Sequence, residues 1–214
     1  MRISSPEAWS EAGQLASLIL FPHPPTHFLI SPRRYTLEVS APLHSADRRA
    51  TTMSTIPELV TAAQIYSRNE SMLAKAIDSL TAEQWTTRPG ECSNSALWIL
   101  GHMVWARSRG LKLLGITWDK PWLHHFERGS KPADPSQYPS SEEVLIAWQE
   151  LSATLPPALE AASAAAMAAA APEPSPSFDG TIGGMVSFLA IHETYHVGQV
   201  VYLRRLIGHE RVAG

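Results

Sequence analysis

The chain has 214 residues, of which 44% are hydrophobic, and its formal net charge is −3, so it can form one globular core and lacks the basic excess typical of nucleic-acid binding. Its one cysteine, Cys92, excludes an internal disulfide and a cysteine-based zinc ribbon, and suits a reducing cytoplasm. No apolar run approaches the roughly 18 residues that span a bilayer, so we expect no membrane partner.

Residues 1–52 differ in composition from the rest of the chain. They contain six prolines and no sustained apolar period of 2 or 3.6, so we interpret them as a disordered extension. The short apolar stretch 15–21 follows acidic rather than basic residues, which disfavours a signal peptide. Met53 precedes a typical helix start, which indicates that 1–52 is an over-extended start and that the folded domain comprises 53–210.

The first two long helices are predicted from apolar residues that recur every three or four positions. The first runs from Pro57 to about Leu80, and residues 81–84 then form a capping box that opens a short helical turn. The second is capped near Ser93 or Asn94 and ends at Gly115.

A long loop over residues 116–139 separates these helices from the other two. It is rich in proline and aromatic residues, so we expect it to cover a site. The third helix opens at Ser140, and a bend or break is predicted at Pro156-Pro157 before the helix resumes to about residue 171. After a proline-rich linker, the fourth is capped near Asp179 or Thr181 and ends at Ile207. Four long helices without a convincing strand predict an all-α four-helix bundle.

The fourth helix carries two histidines at helical spacing, His192 and His196. Residues four apart point in nearly the same direction, so both imidazoles can meet one metal ion. The apolar neighbours on that face turn both rings toward the core. A third inward histidine, His102 on the second helix, completes a candidate site with an open coordination position. The alternative is that all three are polar core residues without a metal.

The segment 192–196 also matches the metallopeptidase pattern H-E-x-x-H, in which the glutamate acts as general base. Position 199 is glutamine where the extended pattern requires glycine, and no strand is predicted that could bind an extended peptide. A peptidase is therefore the weaker hypothesis. Glu193 is a candidate catalytic base or a partner of a ligand imidazole, with a solvated helix residue as the alternative.

Other candidate site residues lie near the three histidines along the helices. Gln199 is one turn beyond the ligands and is a candidate to hydrogen-bond water or substrate, or else another helix. Arg109 is a candidate partner of a substrate carboxylate, and Trp98 of the substrate, although both residue types more often pack structurally. His124 and His125 are candidates for a further ligand from the loop.

The helix order, the segment 80–89, the pair Gly101-His102 and the motif His192-x-x-x-His196-x-Gly198-Gln199 together resemble the DinB-like superfamily. The resemblance covers about residues 56–208. It implies a four-helix bundle in up-down-down-up order, usually a homodimer, with zinc or nickel held at His102, His192 and His196.

Some members of that superfamily resemble thiol transferases that use mycothiol or bacillithiol, or a mycothiol-dependent maleylpyruvate isomerase. The resemblance implies a metal-dependent transferase of low-molecular-weight thiols, or a hydrolase, that acts on a small molecule. A metal-stabilised bundle without catalysis, and an interaction module without metal, stay open as alternatives.

Overall fold

The computed structural model describes residues 56–90, 94–130 and 133–212. Over these ranges the chain is helical and contains no strand, which confirms the all-α prediction; a single antiparallel bridge joins Ala170 to Thr181. No helix in the same ranges is long and apolar enough to cross a membrane. The disorder predicted for residues 1–52 and the position of Cys92 lie outside the described residues.

Four long helices and two short ones make up this part of the chain. In chain order they are α1 Pro57–Ile77, α2 Ala82–Thr86, α3 Ala96–Leu113, α4 Ser141–Ala161, α5 Ala164–Met167 and α6 Ile182–Leu206. The loop between α3 and α4 contains two 3-10 turns, Leu123–Phe126 and Pro135–Gln137.

The capping residues explain where most helices begin. The predicted capping box at Thr81 is present, and Ser140 forms a second one with Glu143 at the start of α4. Thr181 caps α6, whereas α3 is capped by Ser95 rather than by Ser93 or Asn94. These hydroxyl oxygens accept hydrogen bonds from backbone N–H groups that have no partner within the helix.

Helix α1 departs from the sequence prediction at both ends. Its cap position is Ile56, which offers no side-chain hydrogen bond, although Pro57 is the first helical residue as predicted. It ends at Ile77 rather than near Leu80, because the backbone enters the left-handed region at Ser79, with φ of 58°.

Of the predicted bend or break at Pro156-Pro157, the break is wrong, because α4 continues through both prolines to Ala161. The prolines are exposed, while Leu155 and Leu159 on the opposite side are buried. The carbonyl groups that lose their N–H donors belong to residues 152 and 153, on the more exposed side of the helix. The gain from burying the leucines therefore outweighs two missing hydrogen bonds, and the helix ends only at Ala161, where Ala162 becomes extended.

The long helices contact one another in a cycle, α1 with α6, α6 with α3, α3 with α4 and α4 with α1. Their apolar faces form one hydrophobic cluster that includes Leu59, Leu73, Leu100, Leu151 and Val200. The 3-10 turn at Leu123–Phe126 packs against α3. This arrangement brings the loop, α3 and α6 together around the three histidines.

Candidate metal centre

His102 from α3 and His192 and His196 from α6 converge on one point. One ring nitrogen of each lies within 4.8 Å of the others, and the Nε2 atoms of His192 and His196 are 3.0 Å apart. His102 and His196 are buried and His192 is half-buried. Helices α3 and α6 therefore bring the three histidines together, as the sequence pattern predicted.

The loop and two tryptophans hold His102 in place. Its Nδ1 lies 2.7 Å from the carbonyl oxygen of Phe126, so Nδ1–H donates to that oxygen and Nε2 keeps its lone pair. The ring is stacked between Trp98 and Trp105, with centroid distances of 5.1 and 5.3 Å. Gly101 allows this packing, because a Cβ atom there would overlap the Phe126 ring. Gly101 and His102 thus allow the loop to pack closely against α3.

Gln199 performs the same orienting task for His196. Its Oε1 lies 2.7 Å from Nδ1 of His196, and its Nε2 donates to the hydroxyl oxygen of Tyr195 at 3.1 Å. The Nδ1–H of His196 is therefore engaged, and its Nε2 lone pair points to the shared centre. The Nδ1 atom of His192 is buried without a hydrogen-bond partner in the described part of the chain.

The environment keeps all three imidazoles neutral. Burial, the neighbouring His102 and the Arg128 guanidinium lower the pKa of His192 to about 4. Burial and the two other histidines likewise lower the pKa of His196 to about 4, and burial lowers the pKa of His102. Neutral imidazole is the form that binds a metal ion, so at neutral pH the donor lone pairs are available.

This donor set fits a divalent metal ion. Two imidazole nitrogens at about 2.0–2.1 Å from a tetrahedral metal are about 3.3 Å apart, close to the 3.0 Å between the Nε2 atoms of His192 and His196. Three neutral nitrogen donors suit zinc or nickel and leave a coordination position open. The residues can therefore hold such an ion and still admit a ligand.

A cleft of about 510 Å³ opens onto His102 and His192. Its walls also include Trp105, Arg109 and Phe188. Arg109, a substrate-binding candidate from the sequence, is therefore a wall residue of the cleft that reaches the histidines. The other such candidate, Trp98, covers the ring of His102 and lines a different cleft, together with Tyr138.

Glu193 lies away from this cleft, in a buried ion pair. Its two carboxylate oxygens accept hydrogen bonds from Arg107 at 2.6 and 3.0 Å, and Asn69 donates to one of them at 3.1 Å. The side chain is buried, so the solvated alternative is wrong, and none of the three imidazoles is among its hydrogen-bond partners. Its predicted role as a catalytic base stays a prediction.

Arg107 is the main residue that the sequence analysis did not single out. It also donates to Glu70 at 2.8 Å and to Ser152 at 2.7 Å, and its guanidinium lies 3.7 Å from the centre of the Trp148 ring. Burial alone would lower its pKa, but Glu193 and Glu70 raise it, so the arginine is charged. A signal was present, because Arg107 lies three residues after Val104 and four before Leu111 in an apolar stripe.

His124 and His125 lie outside the histidine cluster. Their rings contact each other, with centroids 3.9 Å apart, and His125 lies beside Tyr138. The cluster of potential metal-binding side chains contains only His102, His192 and His196 among the described residues. The structure thus places the loop histidines apart from the candidate centre.

Comparison with known proteins gives one match. A family model described as the DinB superfamily matches residues 65–200, which include all three histidines and Gln199. Searches of curated proteins and of solved structures each found no match.

Proposed function

The chain belongs to the DinB superfamily, and from that premise we propose that it is a metal-dependent enzyme that transfers a low-molecular-weight thiol to a small molecule. Zinc or nickel is the proposed ion, held by His102, His192 and His196. The proposal includes a four-helix bundle in up-down-down-up order, which the cyclic contacts of α1, α6, α3 and α4 support. It also includes a cytoplasmic location.

The observation that carries this proposal is the convergence of three neutral imidazoles at a cleft of about 510 Å³. When bound there, a divalent ion lowers the pKa of a thiol at its open position and so supplies a nucleophile near neutral pH. The chain itself orients the donors through Phe126 and Gln199, whose oxygens fix the tautomers of His102 and His196. Arg109 offers the cleft a positive charge.

The position of Glu193 favours thiol transfer over peptide hydrolysis. A metallopeptidase of the H-E-x-x-H type needs its glutamate as a free general base within hydrogen-bond reach of the attacking water. Here Arg107 holds both carboxylate oxygens, and Glu193 is not part of the cleft wall. Thiol transfer makes no such demand, because an ion held by the three histidines would lower the pKa of the thiol enough for its proton to pass to solvent.

Metal content tests the ligand assignment. We expect about one zinc or nickel ion per chain by plasma mass spectrometry of tag-free protein, with loss of the ion in His102→Ala and in His196→Ala. His124→Ala, which removes a histidine outside the cluster, is the matched control and should keep the metal. Absence of stoichiometric metal, even after incubation with either ion, would overturn the assignment.

A model conjugation tests the activity. With a small thiol and 1-chloro-2,4-dinitrobenzene, sulfur forms a bond to the ring carbon, chloride leaves and the thiol proton passes to solvent. The metal-loaded protein should accelerate this step, and either a chelator or His102→Ala should abolish the acceleration. Metal binding without acceleration for a panel of thiols and electrophiles would favour the non-catalytic alternative.

We also propose that the chain forms a homodimer. Ile191, Tyr195, Tyr202 and Leu206 recur at spacings of four and seven residues on α6, and each is about half or more exposed. A second copy could cover this apolar stripe. Sedimentation velocity of the full chain checks the proposal, and a monomer at micromolar concentration would contradict it.

A further inference from the structure

The cleft at the histidines continues into a second one. The neighbouring cleft has a volume of about 430 Å³, and the two share Arg109, Pro174 and Met185 as wall residues. Together they form a groove between α3 and the segment that precedes α6, with His102 and His192 in its wall. A ligand that fills the groove therefore extends well beyond the metal position.

The groove is lined by positive charge without a balancing negative one. Arg109 and Arg128 line the part beside the histidines, and Lys112 lines the extension together with Arg109. Of the residues described, no aspartate or glutamate lines either part. This contrasts with a chain whose formal net charge is −3.

The positive charges of the groove are not paired with negative ones among the described residues. The side chains of Arg109, Lys112 and Arg128 are exposed and make no hydrogen bond or ion pair with any described residue. Some basic side chains outside the groove are engaged, as Lys120 is with Glu150 and Arg204 with a backbone carbonyl oxygen of α1. Arg109 also lines an adjoining cleft that contains Asp119 and Glu127. An exposed arginine is ordinary by itself, but two that line one cleft, with no carboxylate among the described residues of its own wall, raise the positive potential there.

The remainder of the groove wall is apolar. Beside the histidines it consists of Trp105, Met185, Phe188, Leu189 and two prolines. Such a wall removes an apolar group from water, and aromatic side chains make the largest contribution per residue. The groove therefore combines an apolar surface with a cationic one.

We propose that this groove binds a small molecule with an apolar body and an anionic oxygen head group, a carboxylate or a phosphate, held by Arg109 and Arg128. That the reacting atom of this ligand lies at the histidine centre rests on the proposed function. The anion site itself does not rest on it. A guanidinium presents parallel N–H donors that match the two oxygens of either head group, which makes arginine the suited residue for both.

Binding of matched probes tests the proposal. Chelator-treated and zinc-loaded protein would be titrated calorimetrically with 4-mercaptobenzoate, 4-mercaptophenylphosphonate and the neutral 4-mercaptobenzamide. We expect at least one anionic probe to bind about tenfold more tightly than the amide in both forms of the protein, because each guanidinium adds a charge-assisted hydrogen bond. The tighter of the two anionic probes identifies the head group.

Variants of exposed residues locate the anion site. The double variant Arg109→Gln/Arg128→Gln should reduce the preference for the anionic probe to about threefold or less. Arg68→Gln/Arg211→Gln removes the same charge at two exposed arginines that line neither part of the groove, and should leave the preference unchanged. Because all four positions are exposed, both variants should keep the unfolding midpoint of the wild type.

The outcomes separate this inference from the proposed function. Equal affinity for anionic and neutral probes, or a preference that survives in Arg109→Gln/Arg128→Gln, would overturn the inference even if the protein binds zinc. A preference that is present in chelator-treated protein and lost in that variant supports the inference even if no zinc binds, in which case only the proposed function fails.

Discussion

Arg107 and Glu193 form a buried ion pair that links α3 to α6. We expect Arg107→Met to lower the free energy of unfolding by about 3–5 kcal/mol, because it leaves the Glu193 carboxylate buried without its partner. The double variant Arg107→Met/Glu193→Leu should recover a substantial part of that loss. Urea denaturation of the metal-free proteins measures both.

If the double variant is as unstable as Arg107→Met alone, the destabilisation does not arise from the unpaired carboxylate. Lys112→Met is the matched control, because it removes a positive charge from the same helix at an exposed position. Its free energy of unfolding should lie within about 0.5 kcal/mol of the wild type.

The sequence predicted the three histidines as a cluster but not this ion pair. The apolar periodicity around His102, His192 and His196 placed all three on inward helix faces, with polar core residues without a metal as the alternative. A buried Arg107 requires that two particular turns of α3 and α6 lie side by side. Periodicity gives the inward face of each helix but not the axial offset between helices, so the partner could not be inferred.

At the scale of elements, the contact between α3 and the loop depends on Gly101. We expect Gly101→Ala to lower the free energy of unfolding by about 1–3 kcal/mol, because the new methyl group overlaps the buried Phe126 ring and displaces the turn. The same displacement should weaken metal binding, because the Phe126 carbonyl then leaves Nδ1 of His102. Thermal unfolding and a chelator competition measure the two effects.

Gly110→Ala on the same helix is the control for this substitution. A Cβ atom there meets a side-chain carbon of Leu189 at an ordinary contact distance of 3.5 Å, so the change should leave the metal affinity as in the wild type. Equal metal affinity in Gly101→Ala and Gly110→Ala would contradict the role assigned to the loop.

Local sequence signals predicted where helices begin better than they predicted how far each helix continues. The capping boxes at Thr81 and Ser140 depend on residues three apart, so they can be read from the sequence directly. Helix α4 continues through Pro156-Pro157 because its leucines are buried by other helices, and the free energy of this burial outweighs the tendency of proline to end a helix. The sequence does not reveal how much free energy that burial contributes.

For the whole molecule, the lowered histidine pKa values predict acid sensitivity of the metal-free protein. In the unfolded chain a histidine takes up its proton near pH 6.5, whereas His192 and His196 in the fold do so at about 4. The unfolded state thus binds more protons in this interval. The stabilising contribution of these residues is complete above about pH 6.5 and is lost as the pH falls toward 4.

Urea denaturation of metal-free protein between pH 7.5 and 4 measures this dependence. The variant His192→Gln/His196→Gln keeps the Arg107–Glu193 pair and serves as the comparison, so that the difference between the two pH profiles isolates the histidines. We expect a shallower decline for the variant. Parallel profiles would show that the two imidazoles do not account for the acid sensitivity.

The hydrogen bond from His102 to the Phe126 carbonyl joins the folding of a loop to the occupancy of the histidine centre. Linkage requires that such a coupling be reciprocal: if a particular position of the loop strengthens ion binding by some factor, the ion must favour that position of the loop by the same factor. A ligand that enters the groove and contacts Arg128, two residues beyond Phe126, would act on the same equilibrium. Binding of the ion, binding of the ligand and the position of the loop would then be coupled to one another.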